Sequence, residues 1–173
     1  MKYKEVWFDE YRGINFEVNK FEGSKALNHA QSWTFYLHIA VEQFPEEVRT
    51  KLMPYVYFTA FGTRIEVPRD NPLENLEWHG GMTWISVESE KVFTSLKAGC
   101  DYQHLWDEGQ YYSSEEVILD AKKCIDSLYA MFPALKTGEQ IWEEFRKKFP
   151  GKDAGDNRYF RKDGTAIPLD QIP

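Results

Sequence analysis

Residues 32–42, SWTFYLHIAVE, alternate without a break. Trp33, Phe35, Leu37, Ile39 and Val41 fall on one face, and Thr34, Tyr36, His38, Ala40 and Glu42 on the other. A period of two is the signature of an extended strand, so the first face is core. The second is semi-polar, and it is either solvated or lines a cleft. His38 on that face reads as an exposed or hydrogen-bonded structural histidine. A strand of this kind needs neighbours to pair with and a layer to cover its apolar side.

The chain supplies both. Ile14, Phe16 and Val18 alternate with Asn15, Glu17 and Asn19, which predicts a strand over 14–21. A strand over 3–8 precedes it, with Tyr11-Arg12-Gly13 as the turn, and residues 23–31 read as a loop. Pro45-Glu46-Glu47 opens a short helix to about Met53, since proline is tolerated in a first turn and early acids suit the helix dipole. Residues 55–67 predict one or two strands bent at Gly62. The loop from Pro68 to Pro72 extends toward Leu76. Two further strands, near 81–87 and 92–99, flank a turn at Ser89-Glu90-Lys91, and residues 100–112 read as a loop.

The late part of the chain is helical. Ser113 and Glu116 form a capping box. Val117, Ala121, Cys124, Ile125, Leu128 and Phe132 then recur at the spacing of an amphipathic helix. Thr137 and Gln140 open a second helix, which carries Ile141, Trp142, Phe145 and Phe149 on one side and ends before Pro150-Gly151. Strands first and helices last predict an α+β fold: an antiparallel β-sheet with the two C-terminal helices packed on one face. Residues 1–150 read as a single domain and residues 151–173 as a polar tail, with Ile167 and Leu169 available to pin it.

The totals narrow the function classes. At 173 residues, with a single domain usually about 100–200 residues long, the chain fits one domain. A formal charge of -7 disfavours nucleic-acid binding, which needs clustered Lys and Arg. The acidic surface reads first as a solubility device, and alternatively as a face for a basic partner. Cys100 and Cys124 are expected to be reduced thiols. No run reaches the roughly 18 apolar residues of a membrane span. The opening MKYKEVWFDEY lacks an apolar signal-peptide core, so the expectation is a protein that stays in the cell that makes it.

Chemistry concentrates in residues 78–109. His79-Gly80-Gly81 opens the first strand of the predicted hairpin, with Thr83 just beyond. Asp101, His104 and Asp107 follow the second strand at intervals of three. Antiparallel pairing would bring His79 and the 100–107 loop to one end of the sheet. Four readings compete. His79, Asp101, His104 and Asp107 could ligate a divalent metal, whose bound water would make a hydrolase, although the spacing matches no established motif. Asp101 or Asp107 could instead orient His104 for metal-free acid/base work. The third reading is a ligand pocket without turnover, with His79, Gly80, Gly81, Thr83, Asp101, Tyr102, His104, Trp106 and Asp107 around it and Trp78, Trp84, Tyr111 and Tyr112 as further flat walls. The fourth is a polar network that fixes hairpin to loop. Cys100 has two histidines as candidate bases, but a cysteine after Gly99 at a strand end is more often a small buried filler.

The pair His79-Gly80-Gly81-Met82-Thr83 and Gly99-Cys100-Asp101-Tyr102-Gln103-His104-Leu105-Trp106-Asp107 resembles a family of uncharacterised bacteriophage and prophage proteins. Its pattern is His-Gly-Gly-apolar-Thr, a short strand, then Gly-x-Asp-x-x-His-x-x-Asp. The resemblance covers about thirty residues, with weaker similarity at 33–41 and after 113. It implies a phage-encoded protein in the host cytoplasm, and it gives weight to a pocket built from His79, Asp101, His104 and Asp107. By analogy with small phage proteins that capture or degrade nucleotide signals of host immunity, it implies a counter-defence protein. The expected partner is a small molecule or, on the rival reading, a host protein met through the acidic surface.

Overall fold

The computed structural model describes residues 3–22, 31–52, 55–59, 62–66, 70–89 and 92–149. Of the expected loop over 23–31, residues 23–30 lie outside the described residues and Gln31 already opens a strand. Met53 at the end of the expected short helix, Pro68 and Arg69 of the expected 68–72 loop, Glu90 and Lys91 of the expected turn, and the tail 151–173 also lie outside them.

The strands are β1 (Tyr3–Tyr11), β2 (Ile14–Glu22), β3 (Gln31–Ala40), β4 (Tyr55–Thr59), β5 (Gly62–Glu66), β6 (Trp84–Ser89) and β7 (Thr94–Asp101). The helices are α1 (Glu46–Leu52), α2 (Ser114–Met131) and α3 (Gly138–Lys148). Five strands form one antiparallel sheet in the order β1-β2-β3-β7-β6. The turn between β1 and β2 is two residues long, and both Arg12 and Gly13 have positive φ, as a hairpin of that length requires. The stretch expected to be one or two bent strands is two: β4 and β5 pair antiparallel, Thr59 opposite Gly62, in a separate sheet.

Register explains the core. Phe16 pairs with Leu37 and Val18 with Phe35. Phe35 faces Cys100, Leu37 faces Ala98 and Ile39 faces Leu96. These side chains share one face and are buried. Over them lies α2, which buries Val117, Ala121, Cys124, Ile125 and Leu128. Capping boxes start both late helices, at Ser113/Glu116 and Thr137/Gln140. Ile141 is the buried anchor of α3, and Trp142 packs edge-on against Phe93 at the entry to β7. The architecture is therefore α+β, an antiparallel sheet with C-terminal helices against its apolar face. Among the described residues no helix is long and apolar enough to cross a membrane.

The second face departs from simple alternation. Alternation puts Glu17 and Asn19 on the polar side of a half-buried strand, yet both are buried, Asn19 to 1% exposure. A network makes this tolerable. Lys97 Nζ lies 2.7 Å from Glu17 Oε1, and His38 Nε2 lies 3.2 Å from Oε2. Asn19 Nδ2 donates to Glu17 Oε1 and to Thr34 Oγ1. Burial alone would raise the Glu17 pKa, but hydrogen bonds from His38, Lys97 and Asn19 overcome it and hold the carboxyl at about 2. His38 is the hydrogen-bonded histidine that its lone position suggested.

The packing predicts a contrast within α2. Ile125→Ala, at a fully buried position, should cost about 2–5 kcal/mol. Leu119→Ala, on the half-exposed side, should stay within about 0.5 kcal/mol. Urea unfolding of both variants measures the difference.

Candidate functional site

The site lies where the β6–β7 hairpin meets the loop into α2. The first of the paired strands starts later than the sequence suggested. Gly80 and Gly81 have φ of +71° and +109°, which keeps residues 79–83 out of the ladder. Thr83 N–H donates to the Gly99 carbonyl just before pairing begins. The segment His79–Thr83 thus passes over the end of β7 as an irregular strap.

Asp107 is the centre of the arrangement. Its residue is 2% exposed. Oδ1 accepts from the Tyr112 hydroxyl at 2.7 Å and lies 2.8 Å from His79 Nε2. Oδ2 accepts from the His104 backbone N–H at 2.9 Å. Burial would raise the pKa of this carboxyl. The donors Tyr112, His104 N–H and His79 outweigh that, and it titrates below the ordinary aspartate value. Tyr112 shows the reverse, since burial and the hydrogen bond to Asp107 push its hydroxyl up.

Rings stack around this centre. His79 lies on Tyr102 with centroids 3.8 Å apart and planes within 9°. Tyr112 meets both rings edge-on. The Tyr102 hydroxyl donates to Asp120 on α2 at 2.9 Å, so the stack is tied to the helix as well as the sheet. His104 stacks on Trp106 at 4.5 Å, and its centroid is 5.9 Å from that of His79. The His104 Nε2 atom is buried and has no hydrogen-bond partner. That edge of the ring packs against Gly80, where a Cβ would sit 2.2 Å from Nε2. Only glycine allows this approach.

The structure therefore gathers His79, Gly80, Tyr102, His104, Trp106 and Asp107 from the residues singled out in the sequence. Thr83 and Gly81 sit at the edge: Thr83 is exposed, and nothing lies within 4 Å of a Cβ built on Gly81. Asp101 does not join the cluster. It was expected in the loop, but it is the last residue of β7 and pairs with Thr34. Strand alternation puts its side chain on the face opposite Cys100, and it accepts from Gln103 N–H at 3.1 Å. The four-residue metal set does not converge for that reason, and among the described residues no group of three or more His, Cys, Asp or Glu is placed to hold a metal ion. The orienting pair also differs from expectation: the buried aspartate holds the side chain of His79, and it touches His104 only through the backbone. Cys100 is buried and its thiol is pushed up by burial, opposed by a backbone hydrogen bond from His79. It is a packing residue, and no appreciable thiolate exists near neutral pH. Both cysteines are free.

The sequence reading missed the role of Tyr112, which appeared only as a flat wall, and it missed Asp120. The helical register of Asp120, one turn past the capping box, was the available signal. No family model, curated protein or solved structure matches the chain.

Asp107→Ala strands three donors at once and should cost about 2–4 kcal/mol at pH 7. Because the folded carboxyl titrates below its unfolded value of about 3.9, its contribution is complete above that pH and disappears as the pH falls through the folded value. Urea unfolding of wild type and variant across pH 2–7 should show the gap closing only at the acidic end. Gly80→Ala combines an unfavourable φ with a clash against His104. It should cost about 1–3 kcal/mol and displace the His104 ring, which the ring-proton NMR signals would report.

Proposed function

We propose that the pocket between the His79–Thr83 strap and the 102–112 loop binds a small ligand with a flat face and a hydrogen-bonding edge. The observation that carries this reading is the orphan His104 Nε2. A buried polar atom without a partner costs about 1–3 kcal/mol, and few such atoms persist without a reason. Gly80 covers that edge. A swing of the Gly80-Gly81 segment, free of side chains, uncovers it beside the Trp106 ring. A flat ligand stacked on Trp106 would then bond to the nitrogen that the resting state leaves unpaired.

The motif resemblance extends this proposal to a phage-encoded protein that captures a small host molecule, a nucleobase compound among them, in the cytoplasm of an infected cell. The site offers such a ligand stacking and one polar edge. A base is the part of a nucleotide that these groups suit.

A second reading draws on one observation, the 2.8 Å contact between His79 and the buried Asp107. A carboxylate that fixes an imidazole is the orienting half of an acid/base pair. Under that reading the captured molecule is also converted.

Thermal unfolding of the full chain against free bases, nucleosides and nucleotides, cyclic ones included, tests the proposal. A true ligand at 100 times its Kd adds about 2.7 kcal/mol, which moves the midpoint of a chain this size by roughly 5–10 °C. The shift should vanish in His104→Ala. Recovery of the ligand intact supports binding alone, whereas an altered ligand, with conversion lost in His79→Ala, supports the acid/base reading. No shift from any compound, with His104→Ala as stable as wild type, overturns the pocket and leaves a protein partner for the acidic surface.

A further inference from the structure

β1 is an edge of the five-stranded sheet, and among the described residues no strand pairs with its outer side. The two-residue turn makes Tyr11 and Ile14 the first pair of the β1–β2 hairpin, and a turn of this length is closed by a hydrogen bond between that pair. Main-chain groups alternate in direction along an antiparallel strand. Tyr11, Asp9 and Trp7 therefore face β2, whereas Glu10, Phe8 and Val6 turn their N–H and C=O groups outward. One bond agrees with this phase: the Glu10 N–H is not spent on β2 but donates to the neighbouring Asp9 Oδ1 at 2.8 Å.

The same three residues carry their side chains on the second face, opposite Asn15, Glu17 and Asn19. Phe8 is 75% exposed there and Val6 41%. A lone exposed apolar side chain is ordinary, but these two stand at i and i+2 on an open edge. Native edges are blunted by a proline, a bulge or an inward-pointing charge. From Glu5 to Tyr11 the strand has no proline, and its register with β2 is unbroken, the one irregularity falling between Tyr3 and Glu5.

We propose that β1 pairs antiparallel with β1 of a second copy, about a two-fold axis at Trp7, and joins two five-stranded sheets into one. The strand is self-complementary in that register. Val6 falls opposite Phe8 of the copy and Phe8 opposite its Val6, both at outward-facing positions that exchange main-chain hydrogen bonds. The four side chains make one apolar patch across the axis. Lys4 falls opposite Glu10. On the helix-covered face Glu5 falls opposite Asp9, and each of these acids has its own cation nearby, Lys20 Nζ at 3.8 Å and Lys122 Nζ at 3.9 Å, which offsets the like-charge pair. Sliding the copy by two residues loses the match, since Val6 then meets Glu10 or Phe8 meets Lys4. The self-pairing is also closed. A contact from β1 to the β6 edge of another copy would leave a free edge at each end and continue as a filament. β1 lies across the sheet from β6 and β7, so the pairing does not draw on the pocket.

Sedimentation equilibrium of the full chain tests the pairing. One strand is a small contact, so the expected dimer is weak, with a Kd of about 1 μM to 1 mM. Phe8→Glu, at an exposed position that should fold normally, should raise that Kd about tenfold or more. Val6→Pro removes an outward N–H and no bond to β2, and should do the same, with far-UV circular dichroism checking its fold. In the wild-type chain the Val6 and Phe8 amides should exchange with solvent more slowly as protein concentration rises. A chain that stays monomeric, or a dimer that Phe8→Glu leaves intact, overturns the proposal. So does a dimer whose Val6 and Phe8 amides exchange at the same rate as in the monomer, which is contact through apolar side chains without strand pairing. Growth beyond the dimer with concentration points to β1–β6 contacts and overturns it as well.

Discussion

The apolar face of β3 packed under α2 is the contact on which everything else depends. Trp33, Phe35, Leu37 and Ile39 are essentially without solvent exposure, and burying each such side chain contributes roughly 1.5–3 kcal/mol. That face fixes which residues of β2 and β7 can lie beside them, because a shift of one position would turn every apolar residue outward. It also fixes α2, whose Asp120 then meets the Tyr102 hydroxyl. The site is built on the rim of this core, and its rings continue the core outward: Phe35 touches Trp78 and Tyr102, and Tyr102 carries His79.

Within the rim, Asp107 has the role that a cap has in a helix. A buried carboxylate is tolerable only with its lone pairs occupied, and three donors from three parts of the chain converge on it. His79 comes from before β6, His104 from the turn after β7, and Tyr112 from the residue before the α2 cap. This one group therefore closes the irregular strap and the irregular loop against each other. The polar-network reading and the pocket reading are not exclusive on these terms. Asp107 and Tyr112 are structural, and the function proposed falls to the groups they leave on the surface side, His104 and Trp106 above all.

Two polar clusters of different character sit on opposite sides of the sheet. The Glu17–Lys97–His38 group on the second face is charge-balanced, with a cation within 2.7 Å of the acid. The segments around Asp107, residues 70–89 and 98–121, differ in carrying acids without Lys or Arg. Balanced groups inside a sheet serve packing, because a paired charge has no remaining field to offer a ligand.

The sequence by itself determined the elements and the class. Strict alternation at 33–40 and the 3.6-residue spacing after Ser113 report local geometry and appear where the pattern put them, whereas Val41 and Glu42, at the end of the same alternation, leave the strand for a 3-10 turn. The hairpin that joins His79 to the 104–107 turn was also legible, since antiparallel strands must bring their outer ends together. Only the tertiary structure decided which polar residues meet. Asp101 looked equivalent to Asp107 by spacing, but two more residues of strand pairing turned it to the far face. Glu17 looked solvated by alternation, but Lys97, eighty residues on, made its burial tolerable. Period and composition are properties of neighbours along the chain. Strand ends, charge pairing across the sheet and the approach of Gly80 to His104 depend on residues far apart in it, and those contacts exist only once the core has set the register.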